Sequence, residues 1–331
     1  MAIDLTKAAR VVPSEHGDVF TQSQWQSFDD KVAELNGAPG APLKPKGLDG
    51  IEKVAGIRRV SYQHGVIYEH PDGKCVWVYG AINDRYNELG GPTSWLGLPL
   101  ADEAQFDNEK GRVSLFERGS IYWWPDVGSV DLNDVIVHYT GLNCFGETSD
   151  GPFSSADEPY VILGAVAPAG STATRSQIYT DVDKGDTRPD LIELYHGKPN
   201  GIVLSIVLME HDDGDPDKYL DDMRKAVGAG MTALSAAIAA AFPPAIPILG
   251  LAAPFIPDAA EALGKAISDL LGTADDRVAD QTISLSAKQM IVLAARTTNS
   301  VERQVGYKVV SAPLQGDGDG NYQVYFGLIP A

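Results

Sequence analysis

YNELGGPTSWLGLPLADEAQFDNEKGRVSLFERGSIYWWPDVG, Tyr86 to Gly128, is the stretch whose reading decides the fold. Leu89-Gly90-Gly91-Pro92 and Leu96-Gly97-Leu98-Pro99 read as two tight turns in quick succession. Glycine accepts positive φ and proline presets its own φ, so neither run continues a helix. After the acidic segment Ala101 to Glu109, the run Arg112 to Trp124 places Val113, Leu115 and Ile121 to Trp123 on either side of Gly119. That pattern predicts two short strands joined by a bend.

Tyr86, Leu89-Gly90-Gly91-Pro92, Leu96-Gly97-Leu98-Pro99, Glu103, Gly111-Arg112, Phe116, Gly119, Ile121-Tyr122-Trp123 and Gly128 together resemble the LGFP repeat of bacterial envelope proteins. Leu98 stands where the motif that names the repeat has an aromatic residue. A second copy is visible upstream by its back half. Val60 to Tyr68 (VSYQHGVIY) runs parallel to Ser114 to Tyr122 (SLFERGSIY), with Gly65 matching Gly119 and Pro71 matching Pro125. Its front half, roughly Leu43 to Arg58, has lost the Leu-Gly-Gly-Pro signature. Repeats this short cannot bury a core alone, so the copies are expected to pack on each other or on a partner domain.

The chain of 331 residues is long enough for two domains. All five tryptophans (25, 77, 95, 123 and 124) precede residue 130, and the remainder is markedly acidic, with 27 Asp and Glu against 13 Lys and Arg. The shift places a boundary near Val127 to Asn133. The expected organisation is an N-terminal arm, helix and Pro/Gly linker over 1–46, a repeat domain over 47–130 and an acidic β-domain over 131–331. A net charge of −19 argues against nucleic acid as a partner, because phosphate binding needs a basic footprint. The two cysteines, Cys75 and Cys144, lie on either side of the boundary and form no metal or redox spacing. They are either two thiols or one disulfide between the domains. The N-terminus, MAIDLTKAARVVPSEHGD, has no apolar run and does not read as a signal peptide.

Taken in order, residues 1 to 22 carry no strong periodicity. Trp25, Phe28, Val32 and Leu35 recur at helical spacing, with Asn36-Gly37 as a stop. Gly37 to Lys46 reads as an extended linker. From Asp134 the texture changes to short strands: Val135 to Thr140, Tyr160 to Val166, Leu191 to Tyr195, Ile202 to Met209, Tyr307 to Val310 and Tyr322 to Leu328. The fold class is mainly β with α: a small β-hairpin repeat domain, then a β-sandwich carrying an inserted Ala-rich helical hairpin at about 216–277.

Within that insertion, Ala226 to Pro257 is a run of 32 residues without a charge. Its first half is an excellent helix former, and prolines interrupt the second half. It reads either as helices covering a sheet face or as a hairpin that enters membranes through Ala226, Met231, Leu234, Ile238, Phe242, Leu249 and Phe255. Only about 16 residues run uninterrupted, short of the roughly 20 needed to span a bilayer.

Two further groups are candidate sites. In the repeat block, Trp95, Arg112, Tyr122, Trp123 and Trp124 are the candidate ligand residues. Neighbours in a strand face opposite ways, so some of these rings fill the core while another stays accessible. An exposed ring beside Arg112, Glu117 or Arg118 makes a platform for a sugar; alternatively, all the rings are core. In the β-domain, acidic loops at strand ends supply Asp150, Asp157, Asp181, Asp183, Asp317 and Asp319 as candidate Ca²⁺ ligands, since hard cations take six to eight oxygens. The alternative is solvated acidic loops. No twelve-residue EF-hand loop, His-Glu-x-x-His, Gly-x-Ser-x-Gly or Walker motif is present, and the six histidines are scattered.

The residues thus describe a non-enzymatic binding protein. The resemblance to LGFP repeats implies a partner in cell-wall polysaccharide or another envelope glycan, and an extracellular or envelope location. Ca²⁺ is the one cofactor the acidic loops suggest. The alternative is a membrane-active, toxin-like protein in which 226–257 inserts into bilayers.

Overall fold

The computed structural model describes residues 14–106, 110–148, 157–211, 215–241, 256–271, 277–298, 307–316 and 318–331. Two compact units emerge, one running through Gln105 and from Lys110 to Asp131, the other from Leu132 to Ala331 together with Phe106.

The first unit is built from helix, strap and sheet, twice over. Helix α1 (Ser14–Glu34) begins earlier than its apolar spacing suggests. Its Trp25 and Phe28 are buried against Val60, Tyr62 and Ile67 of the first sheet. That sheet is an antiparallel meander of β1 (Glu52–Val54), β2 (Ile57–Tyr62), β3 (Gly65–Glu69) and β4 (Cys75–Val78). Helix α2 (Gly80–Glu88) follows, and then a second meander of β5 (Ala104–Gln105), β6 (Arg112–Phe116), β7 (Gly119–Trp124) and β8 (Gly128–Leu132). The other face of the first sheet, with Ile57, Val66, Tyr68, Val76 and Val78, shares one core with Ile82 and Tyr86 of α2 and with Phe116 and Ile121 of the second sheet. Alternation along the strands makes this possible, because each sheet offers one apolar set to each side.

The front half of the first copy is present in the structure, but earlier in the chain than Leu43 to Arg58. Helix α1 ends on Asn36 (φ 53°) and Gly37 (φ 77°), as α2 ends on Gly90 (φ 107°) and Gly91 (φ 60°). Asparagine and glycine are the residues that enter this left-handed region most readily, so both pairs can cap a helix. Pro39 and Pro92 are then both buried. From there a strap runs along each hairpin with matching bonds. The Leu43 N–H donates to Ser61 O as Leu100 N–H does to Leu115 O, and the Gln63 N–H donates to Ala41 O as Glu117 N–H does to Leu98 O. Gln63 Oε1 accepts from Ala41 N–H at 3.1 Å, and Glu117 Oε2 from Leu98 N–H at 3.1 Å. The stretch read as a linker, Gly37 to Lys46, is therefore the first copy's strap.

The second unit contains two antiparallel sheets. One is ordered β11 (Gly170–Arg175), β10 (Pro159–Ala167), β13 (Ile202–Glu210), β14 (Arg277–Leu285). The other is ordered β12 (Thr187–Gly197), β9 (Val135–Thr148), β17 (Gly318–Pro330), β15 (Tyr307–Val310), with β16 (Leu314–Gln315) also on β17. Every residue of β10 is buried. Tyr160, Ile162 and Val166 pack on a helical pair, whereas Val161, Leu163 and Ala165 have the opposite parity and face the other way, toward the second sheet. The helical pair, α3 (Lys218–Ala241) and α4 (Ile256–Leu271), is inserted between the adjacent strands β13 and β14. A short helix, α5 (Ala287–Thr298), follows β14 and lies beside β17 and β15.

Two glycines allow the helical pair to approach its sheet. A Cβ on Gly164 would lie 2.8 Å from both Met223 Sδ and Val227 Cγ1 of α3. A Cβ on Gly230 would lie 3.2 Å from Leu263 Cβ and 3.3 Å from Val166 Cγ2. Gly164→Ala is expected to destabilise the second unit by about 1–3 kcal/mol through overpacking. The measurement is urea unfolding followed by far-ultraviolet circular dichroism and by tryptophan fluorescence. All the tryptophans lie in the first unit, so the dichroism transition should move while the fluorescence transition stays; equal movement of both would refute the assignment.

Candidate functional site

The residues singled out in the second repeat separate onto two faces. Tyr122 and Trp124 lie on one side of β7, stacked with ring centroids 6.3 Å apart, and are buried to 3% and 0% exposure. Both fill the core, as the opposite facing of neighbours along a strand allows for some of these rings. Trp123 points the other way and is partly buried against the core shared by the two repeats. Trp95, at 43% exposure, is the accessible ring.

Trp95 is held by its surroundings. Its indole covers Gly119, where a Cβ would sit 2.7 Å from Cη2, so the bend glycine leaves the space the ring occupies. Arg118 fixes the loop beneath: Nε donates to the Trp95 carbonyl, and Nη2 donates to Ser94 O at 2.9 Å. The hairpin tip thus both makes room for the ring and pins its backbone.

Arg112 is exposed and lies near a second set of groups that sequence reasoning did not gather. Its Nε is 3.6 Å from Glu103 Oε1, which also accepts the Tyr79 hydroxyl at 2.9 Å. Tyr79 stacks on Trp77 with centroids 4.0 Å apart and planes 20° from parallel. Trp77 donates from Nε1 to His64 O at 2.8 Å, and its backbone N–H donates to Asp102 Oδ1 at 2.8 Å. Asp102 also accepts from Lys31 Nζ of α1 at 2.6 Å. His70 Nε2 meets Pro99 O at 2.6 Å, and Lys74 Nζ donates to Leu100 O at 2.6 Å. The second strap is therefore tied to the β3–β4 turn of the first copy. The one sequence signal for this cluster is the Trp77-Val78-Tyr79 alternation, which puts two rings on one face.

Burial raises the Glu103 carboxyl above its ordinary value of 4.5, with the Tyr79 bond and Arg112 opposing it. Burial, followed by the bond to Glu103, pushes the Tyr79 hydroxyl up to about 12.

The acidic loops of the second unit meet at one end of its β9 sheet. Thr187 pairs with Asn143, Gly318 with Thr148, and Asp157 with Val182. The carboxylates there have protein donors. Asp157 is buried and accepts from Thr148 N–H at 2.8 Å, Thr148 Oγ1 at 2.9 Å and the Tyr322 hydroxyl. Glu147 Oε1 accepts from Lys184 N–H at 2.8 Å, and Asp186 Oδ2 lies 3.0 Å from Arg188 Nη2. Asp181 offers its backbone carbonyl to Arg188 at 2.6 Å, Asp183 donates its N–H to Asp186, and Asp319 is exposed. Among the described residues no three His, Cys, Asp or Glu side chains form a group able to hold a metal ion. Asp150 and Asp317 lie outside the described residues.

The apolar block has a structural use. Ala226 and Leu234 are fully buried against the first sheet of the second unit, and Met231 and Ile238 pack at the margin of the same core. Among the described residues no helix is long and apolar enough to cross a membrane. Phe242, Leu249 and Phe255 lie outside the described residues. Cys75 and Cys144 are free thiols; burial pushes Cys75 up to about 11 and raises Cys144 as well, which keeps both protonated at neutral pH.

Two LGFP repeats match the chain, at residues 45–94 and 96–138. No curated protein matches it. LGFP repeats are typical of cell-envelope-associated proteins. The first match begins at residue 45, after the structural front half of that copy, so the folded repeat starts with a helix and strap that the match leaves out.

Glu103 predicts a pH signature. The folded carboxyl holds its proton more readily than the unfolded one, so its contribution to stability is complete below 4.5 and is lost as pH rises through the raised value. Glu103→Gln removes that loss. The difference in Tm, variant minus parent, is expected to become more positive between about pH 4 and about pH 7. A pH-independent difference would contradict the assignment.

Proposed function

We propose that this protein is a non-enzymatic binding protein of the bacterial cell envelope, and that its LGFP repeats hold wall polysaccharide. The observation that carries the reading is the pair of LGFP repeats in tandem, folded as one block with Trp95 exposed over the tip of the β6–β7 hairpin. A sugar ring has an apolar face of C–H groups and a rim of hydroxyls. A fixed indole takes the face. The net charge of −19 turns the protein toward neutral partners and away from polyanions.

The test is co-sedimentation of the full chain with purified, delipidated bacterial wall material. The parent is expected to pellet with the wall in a saturable manner. Trp95→Ala is expected to weaken binding roughly three- to tenfold, the equivalent of about 1 kcal/mol for one aromatic contact. A parent that stays in the supernatant at every wall concentration would end the reading.

A further inference from the structure

The loop that carries Trp95 is tied down carbonyl by carbonyl. Ser94 O accepts from Arg118 Nη2 at 2.9 Å and from the Gly97 N–H at 3.2 Å. Trp95 O accepts from Arg118 Nε, Leu96 O from the Arg118 N–H at 3.1 Å, and Leu98 O from the Glu117 N–H at 3.0 Å. Gly97 O takes the Tyr86 hydroxyl at 2.6 Å. Each carbonyl from Ser94 to Leu98 therefore has a donor, and any other path for the loop would have to break one of these bonds.

Two side chains supply what the backbone does not. Tyr86 of α2 is fully buried, with its ring centroid 4.5 Å from that of Phe116 and 5.7 Å from that of Tyr68, so core packing delivers its hydroxyl to Gly97 O. Arg118 is exposed at the hairpin tip, and its planar fork reaches two successive carbonyls. The first copy has the same strap without these parts. His64 N–H donates to Pro39 O at 3.0 Å as Arg118 N–H does to Leu96 O, and Gly40 (φ 79°) matches Gly97 (φ 74°). In that register Ala38 stands where the second copy has Trp95, and His64 where it has Arg118. Counted back from the left-handed pairs that end the helices, Val32 stands where the second copy has Tyr86. The first copy goes from Gly37 to Pro39 through Ala38 alone, whereas the second goes from Gly91 to Leu96 through Pro92, Thr93, Ser94 and Trp95.

We propose that Tyr86 and Arg118 are positioning residues that hold Trp95 in one orientation for a sugar face, and that the second repeat alone makes the wall contact. A ring already held in its bound orientation loses less freedom on binding, so more of the stacking energy appears as affinity. The Arg118 guanidinium is engaged with the carbonyls beneath the ring and acts through Trp95. The first copy, with Ala38, His64 and Val32 at these positions, serves to fasten the second strap through His70 and Lys74. This inference rests on the envelope-binding reading and names the groups that make its contact effective.

The test uses the full chain labelled with 5-fluorotryptophan, in wall co-sedimentation and in fluorine NMR, where the Trp95 resonance is identified by its loss in Trp95→Ala. Arg118→His and Tyr86→Phe are expected to shift or broaden that resonance and to weaken wall binding roughly three- to tenfold, as Trp95→Ala does. In a Trp95→Ala background neither should weaken binding further, because a positioning residue acts only through the ring. His64→Ala should bind as the parent does. Thermal unfolding by circular dichroism verifies that each variant is folded; if Tyr86→Phe is not, Arg118→His, at an exposed position, carries the same test. An unmoved Trp95 resonance, losses that add to that of Trp95→Ala, or a His64→Ala as weak as Arg118→His would overturn the inference. A parent that binds no wall ends the envelope reading, and the Trp95 resonance, which needs no ligand, still decides the positioning.

Discussion

Each repeat depends on one set of backbone hydrogen bonds: those between a strap and the hairpin that follows it. The bonds form because the helix before the strap ends in left-handed residues, Asn36-Gly37 or Gly90-Gly91, which turn the chain back toward the sheet. Without the strap, strands of five and six residues would leave one edge and one face open to water, a state too small to be stable alone. With it, helix, strap and meander close into a unit whose remaining apolar face is covered by the next copy. The core that joins Tyr68 and Val78 to Tyr86 and Phe116 is where that sharing occurs.

The exposed features of the first unit follow from the same closure. The tip of the β6–β7 hairpin lies beneath Trp95 at Gly119, and the Tyr79 hydroxyl that follows the first meander donates to Glu103 of the second strap. Neither arrangement lies within a single stretch of sequence. Arg112, Glu103 and Tyr79 come from three elements and meet because Asp102, His70 and Lys74 fasten the second strap to the first copy. The tie is polar at its rim and apolar at its centre, which gives a defined geometry as well as burial.

The second unit solves a different problem. Its strands β10 and β13 are apolar on both faces and need cover on each side. The second sheet supplies one cover and the Ala-rich helical insertion the other. An Ala- and Gly-rich helix approaches a sheet more closely than one rich in leucine, and Gly164 and Gly230 mark where that closeness is used. Absence of charge over Ala226 to Ala241 is thus accounted for by burial on one face and small side chains on the other.

By itself the sequence determined the repeat signature, the mainly β class, the helical insertion and the change of character near residue 130. All of these are local: Gly-Pro turn chemistry, alternation along a strand, a 3.6-residue period and a shift in charge. It left β11 and β14 unread, because these polar, half-exposed edge strands carry little apolar pattern. The first strap was also illegible, since Leu35-Asn36-Gly37-Ala38-Pro39 replaces Leu-Gly-Gly-Pro and only the positive φ values show the equivalence. Tertiary structure alone decided which aromatic rings are accessible. Tyr122, Trp123 and Trp124 are alike in composition and adjacent in the chain, and the packing of each face, a long-range property, buries two and spares Trp95. The same holds for the acids, where Asp157 is buried under Thr148 and Tyr322 while Asp319 faces water. Exposure and partnership are set by residues far apart in sequence, and those distances exist only once the chain has folded.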